Sequence, residues 1–138
     1  MIYKNKINLE GKDRELITKI LLESYQHPDT LYILLEDCSY LFYNSKNFKY
    51  IGNWDTSNVV NMQGMFSNST FNGDISDWNV SNVKNMSYVF SYSEFNGNIS
   101  KWDVSSVKSM NWIFKYSNFN KDISKWNISN NAKTDSMF

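Results

Sequence analysis

Carboxylates at a fixed spacing are the first candidates for chemistry in this chain. Asp55 and Asp103 share one series with Asn79 and Asn127, and Asp74 and Asp122 share another with Asn98; neighbours in each series are 24 residues apart. If such a series lines up in a stack, neighbours lie roughly 4.8 Å apart. A retaining glycosidase needs two carboxyls about 5–5.5 Å apart. Here acids alternate with amides, which sets the acids roughly 10 Å apart by the same spacing. The alternation avoids like-charge stacking and reads as structural. The lone histidine, His27, stands beside Pro28 with no ligand set near it in sequence. Cys38 falls in an apolar slot and reads as an inert buried thiol. No Gly-rich phosphate loop, zinc spacing or nucleophile motif occurs. An enzyme is therefore not expected, and neither a cofactor nor a metal.

A repeat must position these residues. Trp54, Trp78, Trp102 and Trp126 are each 24 residues apart. The same period carries Val59, Val83 and Val107, then Met62, Met86 and Met110, then Phe66, Phe90, Phe114 and Phe138. Phe71, Phe95 and Phe119 follow, with Ile75, Ile99 and Ile123. A period of this size marks stacked units that bury their faces against each other. Counting back from Trp54 gives a degenerate first unit over residues 30–53, with Leu35, Cys38, Leu41, Phe42 and Ile51 in the apolar slots. The full units are 54–77, 78–101 and 102–125, with a partial unit 126–138. Residues 1–29 read as an N-terminal cap. In it, Lys12 to Tyr25 carries Leu16, Ile17, Ile20 and Leu21 on one side of an amphipathic helix, which Pro28 ends.

Inside a unit, the run around Ile75, Trp78 and Val80 suggests a strand. Val83, Met86, Val89 and Phe90 then follow the spacing of one helical face, with Ser81 as N-cap and Ser57 and Ser105 in the same place. A loop through Phe95, Asn96 and Gly97 leads to the next unit. The expected fold class is an α/β repeat solenoid of leucine-rich-like units: strand, short helix, loop. The blocks WDTSNVVNMQGMF, FNGDISDWNVSNVKNMSYVF and FNGNISKWDVSSVKSM resemble the BspA-type bacterial surface-protein repeat, also found in mycoplasma-type lipoproteins. The likeness spans roughly residues 37–138. It implies a non-enzymatic leucine-rich-like solenoid that binds proteins or matrix components.

Lys+Arg and Asp+Glu both number 14, so the formal charge is zero. That balance argues against an acidic DNA mimic and against strong general nucleic-acid binding. The single cysteine excludes an internal disulfide. The first residues lack an apolar run of signal length, and no segment reaches the length of a membrane span. A cytoplasmic location is expected.

The surface worth most attention is where the copies disagree. If the helix buries its Val, Met and Phe, the positions six, ten and fourteen after each Trp point outward. These are Lys84, Tyr88 and Tyr92 in one unit, and Lys108, Trp112 and Tyr116 in the next. Exposed Trp and Tyr in a cluster suit a partner-binding hot spot. The competing site is the strand-lined face with Asp77, Asn79, Lys101, Asp103, Lys125 and Asn127. There, Asp77 and Lys101 are expected to pair across neighbouring units. Asn72, Asn96 and Asn120 are expected to form a buried ladder. Met137 and Phe138 offer a homodimer contact at the C-terminal end.

The function expected from these features is an intracellular, non-enzymatic protein-binding solenoid. It would act as a small phage or mobile-element inhibitor covering the surface of a host defence protein. One alternative is a surface adhesion module of the BspA type; another is a single-stranded nucleic-acid binder, since lysines beside aromatics suit single strands. The partner is another protein, with nucleic acid reached only through a protein complex and no membrane involved.

Overall fold

A computed structural model describes residues 2–138. Three short strands pair in parallel: β1 (Asn5–Asn8), β2 (Thr30–Ile33) and β3 (Asn53–Asp55), in the order β1-β2-β3. One α-helix, α1 (Arg14–Glu23), lies between β1 and β2 in the chain. Asp13 caps it by accepting from Leu16 N at 3.4 Å, which satisfies one of the open N–H groups of the first turn. Ile17 and Leu21, four residues apart, are buried, while Leu16 is largely exposed. The helix is shorter than the apolar pattern over Lys12–Tyr25. After Glu23 the chain tightens into a 3-10 turn over Ser24–Gln26 before Pro28. Arg14 donates to the carbonyls of Asp37 and Ser39, and Thr18 Oγ1 to Leu41 O at 3.2 Å. These bonds tie α1 to the first 24-residue unit.

The expected leucine-rich-like solenoid is not what forms. Among the described residues no helix follows Gln26 and no strand follows Asp55. The sheet is a single open one of three strands. Residues 56–138 consist of turns tied by isolated parallel bridges, Asp37↔Asn61, Asn61↔Asn85, Asn85↔Ser109 and Ser109↔Lys133. The sheet register also differs from the expected one. Tyr32, not Thr30, pairs with Trp54, and β1 adds a further row that the sequence reading left inside the cap.

Backbone geometry explains why no helix forms. Gly64, Asn68, Tyr88, Tyr92, Trp112 and Tyr116 all have φ between 54° and 63°. A left-handed residue at every fourth position interrupts any α-helix. It also redirects the intervening N–H groups. Met62, Gly64, Phe66 and Asn68 donate to the carbonyls of Asn85, Ser87, Val89 and Ser91 in the next unit, at 2.9–3.0 Å. Met65 and Ser67 close tight turns onto Met62 O and Gly64 O. The next unit repeats this, with Met86, Tyr88, Phe90 and Tyr92 donating to Ser109, Asn111, Ile113 and Lys115. Each turn spans three to four residues. The apolar spacing that suggested a helix is therefore the spacing of consecutive turns.

The core is built from aromatic columns. Phe66, Phe90 and Phe114 stack at 5.9 Å with interplanar angles of 1° and 4°. Phe71, Phe95 and Phe119 stack beside them at 6.1 and 6.2 Å. All six are buried. At the start of the stack, the buried Ser24 hydroxyl joins α1 to the first tryptophan. It accepts from Trp54 Nε1 at 2.7 Å and Gly52 N at 3.1 Å, and donates to Leu21 O at 2.6 Å. Ser24→Ala strands two donors, and we expect a loss of about 1–3 kcal/mol in urea unfolding. A loss below about 0.5 kcal/mol would show that water replaces the hydroxyl at no cost.

Candidate docking surface

Two columns of aromatic side chains stand on the left-handed positions. One runs Tyr40, Gly64, Tyr88, Trp112; the other runs Asn44, Asn68, Tyr92, Tyr116. Tyr88 and Trp112 lie 5.8 Å apart, Tyr92 and Tyr116 stack at 4.7 Å, and Trp112 reaches Tyr116 at 6.1 Å. Tyr92 and Tyr116 remain 57% and 61% exposed, so the rings are held by each other and not by the core. The structure thus brings four of the sequence-selected residues into one ridge, on turn corners instead of a helix face.

Lys84 and Lys108, also selected, are exposed and bonded through their backbones, Lys108 N to Lys84 O at 2.8 Å. The cation that sits on the rings is a different one. Lys115 Nζ lies 5.9 Å from the Trp112 ring centre and 5.4 Å from that of Tyr116. Lys46 Nζ donates to Asn68 O at 2.8 Å and Asn68 Oδ1 at 3.1 Å.

Where Gly64 and Asn68 replace aromatics, the ridge has a notch of ≈ 370 Å³. Tyr40, Tyr43, Tyr88 and Tyr92 surround it, with Asn68, Ser67 and Ser91. The Tyr40 ring lies where a side chain at Gly64 would be. Sequence reading missed Tyr40, Tyr43, Lys46 and Lys115. Tyr40 was findable, because it stands 24 residues before Gly64 and 48 before Tyr88.

The competing face does not assemble as expected. Residues 77–79, 101–103 and 125–127 lie outside any strand. Asp77 and Lys101 form no ion pair; the pair found among the described residues is Lys4–Asp29 at 3.4 Å. Asn79 Oδ1 accepts from Ser81 N and Oγ, as Asp55 Oδ1 does from Ser57 and Asp103 Oδ1 from Ser105. These are Asx turns, so the serines expected as helix N-caps are turn partners instead. Lys101, Lys125 and Asn127 are exposed. The Asn72, Asn96, Asn120 ladder forms, with Asn96 N on Asn72 Oδ1 at 2.8 Å and Asn120 N on Asn96 Oδ1 at 3.0 Å, but on the surface. Phe138 stacks on Phe114 at 5.5 Å, and Met137 O accepts from Phe114 N at 2.7 Å.

The acidic series behaves electrostatically as turn chemistry. Hydrogen bonds from Ser76, Ser105 and Ser124 hold the Asp74, Asp103 and Asp122 carboxyls below their ordinary range. A depressed folded pKa gives stability that is present above the unfolded value, about 3.9, and is lost as pH falls through the folded value. The triple variant Asp74→Asn, Asp103→Asn, Asp122→Asn should flatten the acid limb of stability measured by urea unfolding. An acid limb as steep as that of the wild type would contradict this assignment. Cys38 is buried, with its thiol pushed up to about 12 by desolvation. His27 is exposed. Among the described residues no helix is long and apolar enough to cross a membrane.

Residues 36–138 match the family described as Mycoplasma protein of unknown function, DUF285. The chain belongs to this family. No curated protein and no solved structure matches it. The match replaces the BspA-type resemblance, since the family carries no assigned function and the small open sheet lacks the curvature of a leucine-rich solenoid. With that scaffold go the readings built on it: the solenoid inhibitor of a host protein, the adhesion module and the single-strand binder. The rings also stack on one another, which takes ring faces away from nucleic-acid bases.

Proposed function

We propose that the chain is a non-catalytic docking module whose aromatic ridge seats an acidic segment of another protein. The observation carrying this reading is the backbone under the ridge. A left-handed residue with a Cβ costs roughly 1–2 kcal/mol, and Gly or Asn tolerates that conformation best. Gly64, Asn44 and Asn68 occupy equivalent positions. Tyr88, Tyr92, Trp112 and Tyr116 place the bulkiest side chains where the smallest fit best. Strain of this kind gathers at functional sites, and exposed Trp and Tyr are the residues that dominate protein contacts. Lys46 and Lys115 add positive charge at the ridge, which favours an acidic partner. The buried Cys38 thiol suits a reducing compartment, which supports a cytoplasmic location.

The test is a peptide-display selection on the wild-type chain, counter-selected on Tyr92→Asn/Tyr116→Asn. Acidic peptides with apolar anchors should be retained by the wild type and released by the variant. A selection that returns only peptides bound equally by both would overturn the proposal.

A further inference from the structure

A second cavity, of ≈ 550 Å³, opens beside the first tryptophans and shares no residue with the ridge notch. Its cause is legible in the indole column. Trp102 Nε1 donates to Ile75 O at 3.0 Å and Trp126 Nε1 to Ile99 O at 2.9 Å, each 27 residues back. The equivalent acceptor for Trp78 is Ile51 O. Trp78 makes no such bond, and among the described residues nothing accepts from its indole N–H. No buried side-chain polar atom lacks a partner, so this N–H is open to the cavity side. The reason is one missing residue. Phe71 and Ile75 are four apart, as are Phe95 and Ile99, but Phe48 and Ile51 are three apart. The shorter loop draws Ile51 out of line. Trp54 and Trp78 are tilted by 33°, whereas Trp78 and Trp102 lie within 3° of parallel.

The lining has a definite chemistry. Tyr3, Tyr50, Trp54 and Trp78 supply aromatic walls, and Asp74 and Asp77 supply carboxylates. Hydrogen bonds from Ser76 keep Asp74 ionised, using Oδ1 and leaving Oδ2 free. Lys49 lies in the same cavity. Gly52 and Gly73 add no side chains. Aromatic walls with carboxylates hold an organic ammonium group by cation–π and ionic attraction. Lys49 and the open Trp78 N–H are donors for an anionic group on the same molecule. The volume lies within the range of small-molecule sites, about 300–1,000 Å³.

We infer that this cavity binds a small zwitterion, with its ammonium against Asp74, Asp77 and the rings and its carboxylate against Trp78 Nε1–H and Lys49. The probe is glycine betaine, with choline and acetate each supplying one half of its charge. Two-dimensional NMR of the full chain follows the Trp78 Nε1–H signal, assigned by its loss in Trp78→Phe. Betaine should shift that signal saturably. Choline and acetate should each bind at least about tenfold more weakly, and Asp77→Asn should weaken betaine by about tenfold. No saturable shift up to about 10 mM betaine, well above a millimolar dissociation constant, would overturn the inference. So would equal shifts by acetate alone. Neither result bears on the ridge, whose residues lie elsewhere.

Discussion

Phe90→Ala lowers the unfolding free energy by about 3–5 kcal/mol, the largest single-residue effect expected in this chain. Phe90 is fully buried and stacks on Phe66 and Phe114 at 5.9 Å, on Phe95 at 4.3 Å and near Trp102 at 6.2 Å. Its removal opens a void between three successive units. The neighbours cannot collapse into it, because inter-unit backbone bonds such as Phe66 N to Val89 O and Phe90 N to Ile113 O fix the spacing. Phe90→Leu refills most of the space and should cost about 1–1.5 kcal/mol. Urea unfolding of both variants checks the pair. Equal losses would mean that ring stacking, not volume, sets the cost.

The second large effect is on binding. Tyr92→Asn/Tyr116→Asn removes two exposed rings that touch each other at 4.7 Å and carry Lys115 beside them. Hot-spot aromatics contribute about 2 kcal/mol or more when truncated. Affinity for a ridge-selected peptide should therefore fall by at least about 30-fold. Lys115→Ala should cost less, mainly through association rate, and its effect should shrink with salt. Isothermal titration at two salt concentrations separates the two contributions. An affinity unchanged in the double variant would remove the ridge from the interface.

The sequence carried the period and the core faithfully, and it misled on local conformation. Val83, Met86, Val89 and Phe90 satisfy a helical spacing, yet Tyr88 at φ 63° and Tyr92 at φ 54° interrupt any helix there. Consecutive tight turns and a helix share nearly the same apolar period, so spacing alone cannot separate them. A cue was present in the equivalent positions: Gly64, Asn44 and Asn68 are residues that favour left-handed backbone. β1 was missed because NKIN has one apolar residue and pairs only through backbone. The ridge was found because Tyr88, Tyr92, Trp112 and Tyr116 break the repeat, although the geometry assigned to them was helical. The Trp78 cavity was legible only as a one-residue deletion between Phe48 and Ile51, whose consequence needs three dimensions to see.

The central claim is that the ridge aromatics are not there for stability. The direct measurement is the urea-unfolding free energy of Tyr92→Asn/Tyr116→Asn beside that of the wild type. Relief of left-handed strain offsets the lost ring stack of about 0.5–1.5 kcal/mol, so stability should stay within about 1 kcal/mol of the wild type. A loss above about 2 kcal/mol would show that the rings are part of the packing and contradict the docking role.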